Sequence, residues 1–210
     1  MELSSILGIT AGVLSAIGWI IYNVDILRKK TRPNRSTWSI LTFLGILIFF
    51  SYYDSGARDT IWVTLAYVLG PLLTALLSIF YYGEGGWTPF DKKCLLFVGI
   101  SFMIWLAFRV YFPQIALPIL IISLGIDFVG LLPTIKKSWE NPRFENPPAW
   151  FLESLSSFIN LFAITTWSVT IESFSIWIYP VYLFIINSVI TTILLTSRYY
   201  LKRMNDTSVL

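Results

Sequence analysis

Seven apolar stretches, grouped as three, one and three, occupy most of this 210-residue chain. Residues 6–27, 37–53 and 60–82 form the first set, residues 93–112 stand alone, and residues 115–135, 149–171 and 175–197 form the second. Each is close to the ~17–25 residues that an α-helix needs to cross a bilayer. The chain is 56% hydrophobic and only 13% charged, too apolar for an ordinary soluble domain. Backbone groups inside lipid must pair within their own segment, so the stretches are expected as helices and not strands. The predicted fold is therefore all-α: a polytopic membrane protein with seven transmembrane helices. Residues 1–90 would form one three-helix unit, residues 91–113 a linking helix, residues 114–203 a second unit, and residues 204–210 a short tail.

The first stretch is expected to be retained and not cleaved as a signal peptide. Glu2 precedes it with no Lys or Arg, the run is long, and a basic cluster follows. Charge sets the orientation. Arg28, Lys29, Lys30, Arg32 and Arg35 fill the first connection, Lys92 and Lys93 the third, and Lys136, Lys137 and Arg143 the fifth. Arg198, Lys202 and Arg203 follow the last stretch, while only Arg58 and Arg109 fall on the other side. Seven spans put the basic connections on one side, which the positive-inside rule makes cytoplasmic. The expected placement is a plasma membrane of prokaryotic type, with the N-terminus outside. The same clusters can attract anionic lipid; topology explains them without a nucleic-acid partner. Trp38, Trp62, Trp87, Trp139, Trp150 and Trp177 fall near predicted helix ends, where amphipathic rings favour the headgroup region. Trp19, Trp105 and Trp167 are expected deeper.

The two sets match internally. Val24-Asp25-Ile26 aligns with Pro133-Thr134-Ile135, and a basic pair follows each. Pro33 then matches Pro142, Trp38 matches Trp150, and Ile61-Trp62 with Tyr67 match Ile176-Trp177 with Tyr182. An odd linking helix gives both triplets the same orientation, so the duplication is parallel, with its axis along the membrane normal. In this layout, and in the segments Val24–Arg28, Arg35-Ser36-Thr37 and Pro133–Lys137, the chain resembles the PQ-loop and SWEET-like superfamily of membrane proteins. The Pro-Gln dipeptide of that superfamily is replaced by Val24-Asp25 and Pro133-Thr134, and the real Pro113-Gln114 lies at the other end of a helix. The resemblance implies two parallel three-helix repeats joined by a linker helix and a carrier working by alternating access. It also implies that Pro133, and by analogy Pro71 and Pro180, act as hinges. For each proline the alternative is a plain kink or helix end.

Polar groups at membrane depth supply the candidate site. Asp127, Asn160 and Asn187 fall near the middle of the fifth, sixth and seventh stretches. A charged side chain at the bilayer centre costs roughly 2.5–3.5 kcal/mol on insertion scales, so it faces the bundle interior or a wet cavity. Asp127 is thus the leading candidate for proton coupling or for binding a small polar solute; the alternative is a hydrogen bond to a neighbour such as Asn160. Asn160 and Asn187 can hydrogen-bond a solute or another helix. The resemblance implies a solute contact for Asn187, whose first-half counterpart, near Leu72 or Gly70, is not asparagine. Trp19, Asn23, Tyr67 and Trp167 complete the expected lining, with Trp19 and Asn23 on one helix face. Asp25 and Glu153 lie nearer the cytoplasmic ends. Asp25 would pair with Arg28 or form an inner gate with Lys136 or Lys137, and Glu153 would snorkel or complete that gate.

These readings favour a transporter of a small polar solute, such as a sugar or amino acid. The alternative is a receptor or sorting protein of the same fold that binds without transporting. The chain has no histidine, which excludes His-based metal sites and relays, and no paired catalytic motif, so enzyme chemistry and cofactors are not expected. A retinal protein would need a lysine deep in the last stretch, and Lys202 lies beyond it. The expected partners are the solute and membrane lipids. Two triplets in one chain make a monomer sufficient, without excluding a homo-oligomer.

Overall fold

The computed structural model describes residues 2–207, and among these it contains seven α-helices and no strand. They are α1 (Leu3–Leu27), α2 (Arg35–Asp54), α3 (Ile61–Leu77), α4 (Pro89–Phe108), α5 (Ala116–Glu140), α6 (Pro147–Leu161) and α7 (Ile171–Thr207). The starts follow from capping. The Asn34 side chain accepts from the Thr37 amide at 3.1 Å and that of Asn146 from the Ala149 amide at 2.8 Å. Thr88 and Asp91 form a reciprocal capping box ahead of α4. Pro89 and Pro147 open their helices at a position where a missing N–H costs nothing. A π-turn over Ser78–Tyr82 extends α3.

Five helices are long and apolar enough to cross a membrane: α1, α2, α3 with its π-turn, α5 and α7. The two that fall short do so for separate reasons. Asp91, Lys92 and Lys93 occupy the first turn of α4. The stretch expected to be helical over 149–171 ends instead at Leu161, leaving α6 only 15 residues, about 22 Å. The chain then runs Thr165-Thr166-Trp167-Ser168-Val169-Thr170, where hydroxyl and β-branched side chains compete with helical pairing. The Thr170 hydroxyl accepts from the Ser173 amide and starts α7. At 37 residues α7 spans about 55 Å and carries through most of the expected tail; residues 208–210 lie outside the described residues.

The exterior is apolar, and the interior combines a large apolar core with many buried polar side chains. Leu, Ile and Phe side chains cover the exterior, and α4 buries only Val98, Ser101 and Trp105. The interior holds Ser15, Ser51, Thr64, Ser156, Ser157, Asn160 and Asn187. Many of these hydroxyls return to their own helix: Thr42 donates to the Trp38 carbonyl, Ser51 to Leu47 and Thr74 to Gly70, each in the range 2.8–3.0 Å. A side chain satisfied in this way can sit at membrane depth without water.

Helix α1 packs on α3 and α6, α2 on α3 and α5, α5 on α7, and α6 on α7; α4 lies outside against α2 and α5. The α1–α3 seam is tight because it is built on small residues. A Cβ on Gly12 would lie 2.6 Å from the Cβ of Trp62, and one on Gly8 would overlap the Asp59 carbonyl. Gly99, on the outer face of α4, meets nothing. Gly12→Ala should therefore cost about 1–3 kcal/mol through overpacking, whereas Gly99→Ala should leave the melting temperature unchanged or raise it. Thermal denaturation of both purified variants checks the contrast.

Candidate functional site

Side chains from six of the seven helices meet at one central cavity. Trp19 of α1, Trp38 of α2, Tyr67 and Pro71 of α3, Asp127 of α5, Trp150 of α6, and Tyr179 and Asn187 of α7 all line it; α4 contributes nothing. The cavity measures about 30 Å³, enough for about two waters and well below the hundreds of Å³ of a ligand pocket.

Its polar side is set by two tyrosine pairs. Tyr182 of α7 donates its hydroxyl to the Asp127 carboxylate. Asn187 donates to the Tyr67 hydroxyl at 2.7 Å and to the Ser157 hydroxyl at 3.1 Å, joining α7 to α3 and α6. The other side is aromatic. The Trp19 ring meets Trp38 and Tyr67 edge-on at 5.5 and 5.4 Å, and Tyr22 bridges Trp38 to Trp150. Gly70 makes room for this: the Trp19 ring occupies the space a Cβ would take. The buried Trp19 Nε1 has no hydrogen-bond partner in the protein.

Two prolines release backbone acceptors beside this centre. Proline deprives the carbonyl four residues earlier of its helical donor. For Pro71 that carbonyl belongs to Tyr67, and the α2 backbone approaches it closely at Gly45. For Pro180 it belongs to Ile176, which accepts instead from the Tyr52 hydroxyl at 2.7 Å. Pro133 also lies within its helix but faces outward.

Hydrogen bonds close both ends of the bundle. At the basic end, Asn146 donates to Asp25 at 2.6 Å, and Lys137 reaches the Arg32 carbonyl at 2.6 Å and the Glu145 carboxylate at 2.9 Å. At the opposite end, besides the Tyr52 bond, the Asn160 amide donates to the Thr60 carbonyl at 3.3 Å. Between the ends, Ser15 of α1 donates to Glu153 of α6 at 2.7 Å, and Ser156 to the Ala11 carbonyl at 2.8 Å.

Of the residues expected in the site, Asp127, Asn187, Trp19, Tyr67 and Pro71 come together at the cavity. The others are placed elsewhere, each for a local reason. Asn23 turns toward α3, bonded to the Trp19 carbonyl and the Thr74 hydroxyl, both at 2.9 Å. Asn160 is fully buried but lies at the end of α6 against the α2–α3 connection, away from the cavity and not paired with Asp127. Trp167, expected deep, lies past the end of α6; it is 56% exposed and stacks on Trp177. Asp25 takes Asn146 as partner in place of Arg28, Lys136 or Lys137. Glu153 does not snorkel: it is 4% exposed, facing α1, with Oε1 unpartnered. Trp38 and Trp150, expected among headgroups, are 2% and 5% exposed and face the cavity. Their mutual match in the repeat was the available signal, as was the Tyr67–Tyr182 match for Tyr182. Tyr179 carried no such signal.

A double-mutant cycle on Tyr67→Phe and Asn187→Ala should give a coupling of about 0.6 kcal/mol, typical of interhelical hydrogen bonds in membranes. Strict additivity in denaturation measurements would show that the bond contributes nothing. Comparisons with protein-family models, with curated proteins and with solved structures gave no match to this chain.

Proposed function

We propose that this protein carries a small polar solute across a membrane by alternating access, with the central cavity as the closed form of its binding site. One observation carries the reading: α1, α2, α3, α5, α6 and α7 all supply the cavity lining, and only α4 does not. That is the arrangement expected if two three-helix repeats clasp a shared site and α4 merely joins them. The packing supports it. Exchanging the first triplet for the second turns the α1–α3 contact into α5–α7, α2–α3 into α6–α7, and α1–α6 into α2–α5, and all six contacts exist. On this reading the basic end is cytoplasmic.

A volume near 30 Å³ admits water and no sugar or amino acid, so the solute enters only when the triplets part at one end. The bonds that would open are already identified. Asp25–Asn146 and Lys137–Arg32 would form the cytoplasmic closure, and Tyr52–Ile176 and Asn160–Thr60 the outer one. Each joins one triplet to the other, and each is a single hydrogen bond that water can replace. Pro71 and Pro180, at the level of the cavity, supply helix positions where bending breaks no backbone bond. Asp127 and Asn187 would hold the polar groups of the solute, and the Trp19, Trp38 and Trp150 rings its apolar face.

The first test is thermal stabilisation of the purified protein across sugars, amino acids and nucleosides, since a ligand of the native state raises its melting temperature. One class is expected to stabilise, and counterflow of that class into liposomes then distinguishes carriage from binding alone. Stabilisation without counterflow would establish a receptor in place of a carrier. With the solute in hand, flux should respond to an imposed pH gradient, and Asp127→Asn should abolish that response while sparing exchange. Wild-type flux indifferent to pH removes proton coupling through Asp127.

A further inference from the structure

A second, larger hollow lies at the basic end, apart from the central cavity. It measures about 420 Å³ and is lined by Lys29 and Lys30 after α1, Arg143–Pro148 before and at the start of α6, Asp25, and Arg198 of α7. Its charges are unequal in availability. Glu145 is buried and paired with Lys137 at 2.9 Å, with the Trp150 indole donating to it as well. Asp25 is engaged by Asn146. Arg198 spends its guanidinium on the Pro142 and Glu145 carbonyls at 3.1 and 2.7 Å, fixing the loop that forms one wall. Lys29, Lys30 and Arg143 are exposed and have no carboxylate partner among the described residues. Three cations from two separate connections, none in contact with a carboxylate, therefore line one hollow, and with Arg198 they outnumber the carboxylates of Asp25 and Glu145 there.

The backbone at Lys29 is a second, independent observation. Helix α1 ends with the Lys29 amide bonded to the Ile26 carbonyl and the Lys30 amide to Asp25, both at 2.9 Å. This is a termination in which the next position takes the left-handed conformation, and glycine is the usual occupant. Here a lysine sits there, at φ 60°, among the described residues the one non-glycine with positive φ. A side chain is disfavoured in that conformation, so a lysine there departs from the usual choice of glycine. Lys29 lines the hollow, with its ammonium over the Tyr82 ring at the margin, 4.8 Å from the ring centroid.

We infer that this hollow binds a phosphate group, held by Lys29, Lys30 and Arg143. An anionic phosphate complements a cluster of lysine and arginine side chains, and the arginine fork suits phosphate oxygens. Pro147 and Pro148 carry no N–H, so the start of α6 supplies no backbone donors and recognition rests on these side chains. The phosphate can belong to an anionic lipid headgroup at the membrane surface or to a soluble phosphate compound.

The test titrates the full-length protein in maltoside detergent micelles, which carry no phosphate, with phosphatidylglycerol in one arm and inorganic phosphate in the other, following the melting temperature. A saturable rise is expected in at least one arm. A response to phosphatidylglycerol alone assigns the site to a headgroup, and a response to inorganic phosphate as well assigns it to soluble phosphate. Lys29→Gln/Lys30→Gln/Arg143→Gln should weaken apparent affinity at least tenfold, whereas Lys92→Gln/Lys93→Gln, at the start of α4 and outside the hollow, should leave it unchanged. Lys29→Gly keeps the test valid if the triple variant fails to fold: it relieves the backbone, so it should melt no lower than wild type without anion and still bind several-fold more weakly. No shift in either arm, or equal weakening by the Lys92 and Lys93 changes, overturns the proposal. The melting shift is read without solute, so absence of solute flux would leave this result standing, although Asp25 and Asn146 of the proposed cytoplasmic closure also line the hollow.

Discussion

Polar groups that lie at membrane depth must be satisfied inside the protein, and the rest of the structure follows from that constraint. Asp127, Glu153, Asn160 and Asn187 cannot face hydrocarbon, so α5, α6 and α7 are rotated to turn them inward. Their partners come from other helices: Ser15 of α1, the Thr60 carbonyl ahead of α3, Tyr67 of α3 and Tyr182 of α7. The bundle is thus knitted by polar contacts and close glycine seams, since apolar burial gives helices little drive to associate within lipid.

On the proposed carrier reading, the hydrogen bonds at the two ends of the bundle are the contacts that must part. Between the ends the core is largely apolar, with Leu44, Leu120, Leu183 and Leu194 buried, whereas single hydrogen bonds between helices exchange with water at small net cost. The contacts that close both ends of the bundle are of that exchangeable sort. Where α3 and α7 cross the central level, Pro71 and Pro180 have already removed one backbone bond each. The carbonyl freed by Pro180 is the one that Tyr52 holds, so a bend in α7 and a seal at one end share an atom.

Much of this was legible in the sequence, and the failures are instructive. Hydrophobic length located the helices, and the two limits of that signal were local. Apolar residues continue past Leu161 as Phe162-Ala163-Ile164, but the chain leaves α6 there through short turns, Phe162 to Ile159 and Ala163 to Asn160, that an apolar average does not register. Depth was legible for Asp127 and Asn187, yet depth says nothing of rotation. Asn23 lies near the cavity in sequence terms, four residues from Trp19, but its amide is committed to that residue's carbonyl and to Thr74. Trp38 and Trp150 sit near helix ends, where tryptophan ordinarily meets headgroups; their equivalent places in the two halves pointed instead to a shared interior role. The seals involving Tyr52 and Asn146 depend on contacts between distant segments and had no signature in the chain.

Whether the central cavity opens in turn to each side is the question on which the account stands. In a Cys94→Ser background, a single cysteine placed at Ile186, which lines the cavity, reports on access to it. Membrane-impermeant thiol reagent is applied to one face of sealed vesicles or to the other. Labelling from both faces is predicted, accelerated from the basic face by Asn146→Ala and from the opposite face by Tyr52→Phe. Labelling from one face alone in every variant would contradict alternating access, and a cysteine that never reacts from either face would mean that the interior does not open.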